Sequence, residues 1–424
     1  MSVNTASADV FAAFQRTLAH ATTATDDTIG LSVSGGGDSI ALMHLAAKVR
    51  HPRKLRAITI NHGLRPEAKD EIALVAQQAG QLGIAHDVVD WAWNGKGNLQ
   101  AAARAGRRAA VREWALMHNL REVWLGHTED DQVETVLMRL ARGSGIDGLR
   151  AMYPMTTRDG LRILRPLLGC ARADLRHWLT DKKITWCDDP SNDDPRFDRV
   201  RARQMFTQLE ALGLTRKRLL QTIDHMQAAH ISLQAAALDF AKQHVRQDAG
   251  DLLFAPAALD LEKADAPRRV MAAGFAWVGS RTYRPRFEQL LDIVAQARKG
   301  ATVTLGGCIM TPEDSGAVRL MREAAATVPT MRDNKMPETT GIFWDQRWFL
   351  EGPLRDGLSF KALGNAIKDC PDWRDSGMPR ASLLASPSVW HGNVLVAAPL
   401  AGLSNGWSAR IVADFHSTAF AIED

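Results

Sequence analysis

Between Thr28 and Arg142, short apolar runs alternate with helical patterns, and this alternation constrains the fold more than any other feature of the chain. TIGLSVS, LRAITIN, IAHDVVD and EVWLGH read as strands. Ile40 to Val49, the stretch after Pro66, Asn98 to His118 and DDQVETVLMRLAR read as helices. Strands joined through helices by short connections build a parallel sheet with helices packed over it. Ligands of such sheets bind at the carboxyl ends of the strands, where the loops gather. The loops after the first, second and fourth strands read SGGGDS, NHGLR and GHTEDD. Topology alone therefore brings three unusual polar loops to one crevice.

The rest of the chain changes character. From about Arg199 to Gln247 the pattern is helical, and a unit with helices and a small strand region (ATVTLGGCIM) follows from Gly250 to Ala326. TVPTMRDNKMPETTG reads as a linker, and GIFWDQRWFLEG and NVLVAAPLAG as strands of a small β-rich module. The expected domains are thus 1–205, 206–330 and 331–424. Val10, Phe11, Phe14 and Leu18 form the apolar stripe of an N-terminal helix, not a signal peptide. No apolar run approaches the ~18 residues of a membrane span, so a soluble, cytoplasmic protein is expected. Lys and Arg total 52 against 48 Asp and Glu, a net charge of +4, so any nucleic-acid surface is a local patch rather than a global field. Cys170, Cys187, Cys308 and Cys370 form no close pair, as in the thiols of a reducing compartment.

Ser34-Gly35-Gly36-Gly37-Asp38-Ser39 lies between a strand and a helix. Its glycines let the backbone approach a ligand, the helix start offers N–H groups, and both serines add hydroxyls, which together suit a phosphate. Neither a Walker A loop nor a dinucleotide fingerprint is present. An acidic residue beside a phosphate cradle is repulsive unless a metal intervenes, so Asp38 points to Mg²⁺ bridging ATP oxygens. In GHTEDDQVET, His127, Asp131 and Thr135 align at helical steps of four, beside the pair Asp130 and Glu134. These carboxylates could hold a metal or a cationic substrate, and Thr128 with Asp131 also reads as a capping box.

SGGGDS resembles the S-G-G-x-D-S signature of the PP-loop ATP pyrophosphatases, which cut ATP between the α and β phosphates. NHGLR, NLQAAARAGR, GHTEDDQVETVLMRLARGSGIDGL, RPLLGCARADL and DDPSNDDPRFDR resemble the tRNA(Ile)-lysidine synthetases within that superfamily. The resemblance covers about the first 205 residues. It implies an adenine nucleotide alpha hydrolase-like α/β domain, a helical middle region and a small C-terminal α+β module that binds tRNA. It implies ATP contacts at the glycine-rich loop, His62 and Arg65, and catalytic roles for Asp38, His127, Asp131 and Glu134. Asp38 and Asp130 would hold Mg²⁺, and Arg104 and Arg107 match the family's A-R-x-x-R element for phosphate or RNA contact. The family's R-N-R-x-R becomes Arg199-Val200-Arg201-Ala202-Arg203 here, keeping the arginines and losing the amide.

The implied reaction attaches L-lysine to carbon 2 of the wobble cytidine of tRNA(Ile), in the CAU anticodon, releasing AMP and pyrophosphate. Codon reading then switches from AUG to AUA. A PP-loop tRNA thiolase and a catalytically inactive RNA-binding protein on the same fold are the alternatives, and a homodimer stays open as the assembly. Arg199, Arg201 and Arg203 share one side only in an extended segment, which is the expectation if they form an edge for an RNA backbone. Trp344, Trp348, Trp373, Trp390 and Trp407 read as core residues first, with base stacking as the other use.

Overall fold

The computed structural model describes residues 3–21, 28–49, 54–61, 63, 68–93, 99–158, 160–188, 194–280, 284–331, 341–412 and 414–420. The chain divides into two compact units at His230/Ile231. That division falls inside one long helix.

The first unit holds α1 (Val3–Ala21), β1 (Ile29–Ser32), α2 (Gly37–Lys48), β2 (Leu55–Asn61), α3 (Ala68–Gln81), β3 (Ala85–Asp90), α4 (Leu99–Met117) and β4 (Glu122–Leu125). Next come α5 (Glu129–Leu140), α6 (Ile146–Leu149), β5 (Met155–Arg158), β6 (Leu161–Leu164), α7 (Arg172–Asp181), α8 (Asp198–Ala211) and the start of α9 (Arg216–His244). Six strands form one sheet in the order β3-β2-β1-β4-β6-β5, parallel except for β5 at the edge. The expected α/β layout is present. The β5–β6 hairpin, Met155–Arg158 with Leu161–Leu164, was not anticipated, because no helix separates its strands to set off the alternation that marks β1 to β4.

Apolar residues cover both faces of this sheet, as parallel strands require. Val10, Phe14, Ile40, Leu42, Leu45, Val75, Leu175 and Trp178, from α1, α2, α3 and α7, pack with Leu31 and Val33. Val111 and Trp114 of α4 pack with Ile58 and Val123 in a second cluster. The chain winds from β1 through β2 to β3, then returns so that β4 pairs with the other side of β1. The strand order therefore reverses between β1 and β4, the position at which open α/β sheets bind ligands.

One expectation is overturned here. Arg199, Arg201 and Arg203 lie on α8, not on an extended edge. Val200 and Ala202 are buried, Asp198 occupies the first turn, and helical spacing splits the three arginines between faces.

The second unit contains more strand than its sequence suggested. β7 (Val245–Asp248), β8 (Asp251–Phe254), β9 (Val303–Leu305), β10 (Cys308–Pro312) and β11 (Val318–Arg322) form an antiparallel sheet in the order β7-β8-β11-β10-β9. Helices α10 (Asp265–Val278) and α11 (Phe287–Arg298) supply apolar side chains to the same core. β12 (Thr330–Met331), β15 (Leu358–Ala362), β16 (Pro387–His391) and β17 (Val394–Ala397) form a second sheet. β13 (Gly341–Trp344), β14 (Trp348–Glu351) and β18 (Ser408–Ile411) form a third. The short helices α12 (Arg380–Leu384) and α13 (Phe415–Thr418) complete the unit. Trp344, Trp348 and Trp407 are buried in the C-terminal core, so they pack rather than stack on bases. Trp373 and Trp390 are half-buried, under Arg374 and Lys361 respectively. Among the described residues, no helix is long and apolar enough to cross a membrane.

Candidate active site

The glycine-rich loop is braced through Ser39. Its hydroxyl accepts from the Ser34 N–H at 3.1 Å and donates to the Gly36 carbonyl at 2.8 Å. Gly35 adopts φ +91°, a left-handed conformation that side chains rarely take, so the turn demands glycine at this position. The Cys187 N–H donates to the Gly35 carbonyl at 3.0 Å, which anchors the loop from outside the sheet. Ser34 stays exposed at the mouth of this turn. Ser39 therefore shapes the cradle and also meets the Ser34 hydroxyl at 3.3 Å, while the N-terminus of α2 remains available to an anion.

Asp38, in the first turn of α2, meets α5 across the β1–β4 switch point. Arg172, the first residue of α7, joins them. Its Nε donates to Asp38 Oδ2 at 2.9 Å and its Nη1 to Glu134 Oε1 at 3.3 Å, and its Nη2 lies 3.6 Å from Asp131 Oδ2. Arg199 Nη1 donates to Asp131 Oδ1 at 3.1 Å. Arg203 donates to Glu134 Oε1 through Nε at 3.1 Å and Nη2 at 2.9 Å. Glu134 is 3% exposed, and its second oxygen is buried without a hydrogen-bond partner. A buried, unsatisfied carboxylate oxygen is costly unless a ligand donates to it.

The charges are set by these neighbours. Burial pushes the Asp38 carboxyl above its ordinary value; Arg172 pulls it back, and Asp131 and Asp130 push it further up. Burial would also raise Asp131, but His127, Arg199 and Arg172, with the Thr128 N–H, hold it below the ordinary range. Thr128 caps α5 by donating its N–H to Asp131 Oδ2 at 2.9 Å, as the capping-box pattern predicts. Asp130 also sits low: burial opposes ionisation, and Arg216 and the Arg172 N–H more than offset it. Its Oδ2 accepts from the Arg172 backbone at 2.7 Å and lies 2.8 Å from Arg216 Nη1. That oxygen is engaged in holding α7 and α9, which fits a tether better than the metal ligand expected of Asp130. Among the described residues, no group of three or more His, Cys, Asp or Glu is arranged to hold a metal.

His127, between β4 and α5, is half-buried next to Asp131. Arg107 is exposed on α4, near enough to Arg199 for the two cations to repel, a pairing that an anion between them would relieve. Arg104 also lies on α4, but its side chain is outside the described residues, as are His62 and Arg65. Arg201 points away from the site and pairs with Asp198. The sequence pattern did not reveal Arg172 and Arg216. Arg172 stands inside RPLLGCARADL, and nothing local marks it as the partner of Asp130, Asp131 and Glu134, some forty positions away, or of Asp38, 134 positions away. Neither thiol of this unit is activated: burial drives Cys170 up to about 12, and burial with Glu71 and Asp70 raises Cys187.

Comparison with known proteins bears on the fold and the family. A family model described as a PP-loop domain matches residues 10–210. The tRNA(Ile)-lysidine synthase of Ruegeria pomeroyi is 43% identical over 387 residues, covering 90% of this chain and 91% of that protein. The Hyphomonas neptunium protein of the same name is 35% identical, covering 68% of this chain and 79% of its own. That of Anaplasma marginale is 30% identical, covering 76% and 70%.

Proposed function

Because the chain belongs to the tRNA(Ile)-lysidine synthase family, we propose that its β1–β4 crevice joins L-lysine to carbon 2 of the wobble cytidine in the CAU anticodon of tRNA(Ile). The enzyme is an ATP-dependent RNA-modifying ligase. The cytosine carbonyl oxygen is a poor leaving group, so it first attacks the α-phosphorus of ATP and pyrophosphate departs. The ε-amine of lysine then attacks carbon 2, the proton it loses passes to a base, and AMP leaves with the oxygen.

The N–H groups at the start of α2 would hold the departing phosphates, joined by the Ser34 hydroxyl once it turns from Ser39, an electrostatic contribution that needs no enzyme nucleophile. Arg172 engages Oδ2 of Asp38 and leaves Oδ1 facing no hydrogen-bond donor among the described residues. One carboxylate oxygen with phosphate oxygens is a donor set that magnesium accepts, and the ion there would neutralise charge on the leaving pyrophosphate. The unpartnered Oε2 of Glu134 suits a cationic amine, with Asp131 alongside. Asp131 is held ionised and is a weak base, so the acceptor for the amine proton is His127 in its neutral form, in which it no longer helps to lower Asp131.

The observation that carries this reading is the meeting of Asp38 with Asp131 and Glu134 around Arg172 at the switch point of the sheet. Incubating the protein with ATP, labelled lysine and total tRNA, followed by mass spectrometry of the nucleosides, tests it. Lysine-modified cytidine is expected, and its absence from a folded preparation sinks the assignment. Pyrophosphate release is expected to require tRNA but not lysine, since adenylation comes first.

A further inference from the structure

Arg172 is the side chain through which the two halves of the site touch. Its own N–H is tied to Asp130, so the start of α7 is fixed relative to α5. Its guanidinium then spans Asp38, on the phosphate side, and Asp131 and Glu134, on the side assigned to the amine. A guanidinium has five N–H donors in one rigid plane, so stronger engagement at one end is taken from the other.

We propose that Arg172 is a positioning residue that makes lysine binding depend on bound nucleotide. The proposal rests on the assignment of ATP and lysine given above. Without nucleotide, Arg172 adds a third cation, beside Arg199 and Arg203, over Asp131 and Glu134, the carboxylates a lysine ammonium would use. A metal–ATP complex brings net negative charge beside Asp38, and guanidinium pairs strongly with phosphate oxygens. Arg172 shifts its bonding toward the phosphates, and Asp131 and Glu134, left with Arg199 and Arg203, lose one of three cations and become a better site for the amine. By linkage, nucleotide tightens lysine by the same factor that lysine tightens nucleotide. The arrangement favours filling the amine site after ATP, which keeps the acceptor waiting for an adenylated base.

Equilibrium dialysis of labelled lysine against the full chain tests this, with and without magnesium and α,β-methylene-ATP, which cannot be cleaved between its α and β phosphates. Wild-type affinity for lysine is expected to tighten roughly five-fold or more with the analogue, at the lower end of ordinary coupling. In Arg172→Gln, lysine is expected to bind more tightly than wild type in the absence of nucleotide, and the analogue should change it less than about two-fold. Arg172→Lys, which keeps one charge but cannot span three carboxylates, serves if the glutamine variant fails to fold, and its coupling should also fall. A structural role alone would weaken both ligands and leave their mutual dependence intact. Equal coupling in wild type and Arg172→Lys, or none in wild type, overturns the proposal. If wild type makes lysine-modified cytidine yet shows no coupling, only this inference fails; if it makes none and binds no lysine, the functional assignment fails with it.

Discussion

Gly126, just past β4, approaches Asp38 so closely that a Cβ there would sit 3.1 Å from the Asp38 main-chain oxygen and 3.2 Å from Ser39 Cα. Both neighbours are backbone, so neither can swing aside. This close approach lets the loop after β4 deliver His127 and Asp131 to the crevice opposite Asp38. Gly126→Ala should therefore destabilise the first unit by about 1–3 kcal/mol, the usual cost of overpacking, and weaken nucleotide binding. Urea unfolding and nucleotide titration would check both, and a variant with wild-type stability and affinity would show that the loops can separate without loss.

Asp38→Asn keeps the shape of the side chain and removes its charge. Arg172 loses one of its anionic partners, and the phosphate side loses the anionic oxygen proposed to hold magnesium. AMP formation should fall by at least ~100-fold, equivalent to about 2.7 kcal/mol of transition-state stabilisation. The melting temperature should stay near wild type, because Asp38 carries a desolvation cost that asparagine avoids. Turnover close to wild type in the folded variant would remove Asp38 from the reaction.

Much of the crevice was legible because local patterns carry it. LRAITIN matches β2 residue for residue, and the loops SGGGDS and GHTEDD needed only alternation and topology to be placed together. What escaped depends on contacts distant in sequence. Arg172 and Arg216 gain their importance from Asp38, Asp130, Asp131 and Glu134, on other elements, and no periodicity records such a pairing. The run from Arg199 to Arg203 misled for the opposite reason. Alternating arginines imitate a strand, while the burial of Val200 and Ala202 and the pull of Asp131 and Glu134 select a helix. In the second unit, β7 and β8 pair across a tight turn, without the strand–helix alternation that marks the equally short β1 and β4.

Asp251 offers a test by pH. It is 3% exposed, and burial raises its carboxyl to about 6 although Ser382 and Arg319 donate to it at 2.5 and 3.1 Å. Below the unfolded value of 3.8 both states are protonated and the burial cost is absent. As pH rises from there, the unfolded chain releases the proton first, so this group's contribution to stability falls until about pH 6 and then levels off. The total is on the order of 3 kcal/mol. Asp251→Asn should lose less stability than wild type between those limits, whatever constant offset the missing Arg319 pair adds. Denaturation midpoints at a series of pH values would show it, and parallel curves would assign Asp251 an ordinary carboxyl.

Arg199 and Arg203 stand one turn apart on α8 and reach Asp131 and Glu134, whereas Arg201 leaves from another face and pairs with Asp198. An edge of three equivalent phosphate contacts is incompatible with this geometry. If the first and third arginines serve the carboxylates, their charges are already neutralised and add little to RNA attraction. Arg203→Ala should then lower catalysis and destabilise the first unit by about 1–3 kcal/mol, because Glu134 keeps only Arg172 and stays buried. Arg201→Ala, which breaks an exposed pair, should change stability by no more than about 0.5 kcal/mol. Measured against salt, the log-affinity line for tRNA should keep its slope in Arg199→Ala and Arg203→Ala. Removing an arginine that neutralises a phosphate would instead flatten it by roughly one unit. A flattening of that size in either variant would move that arginine from the catalytic cluster to the RNA backbone.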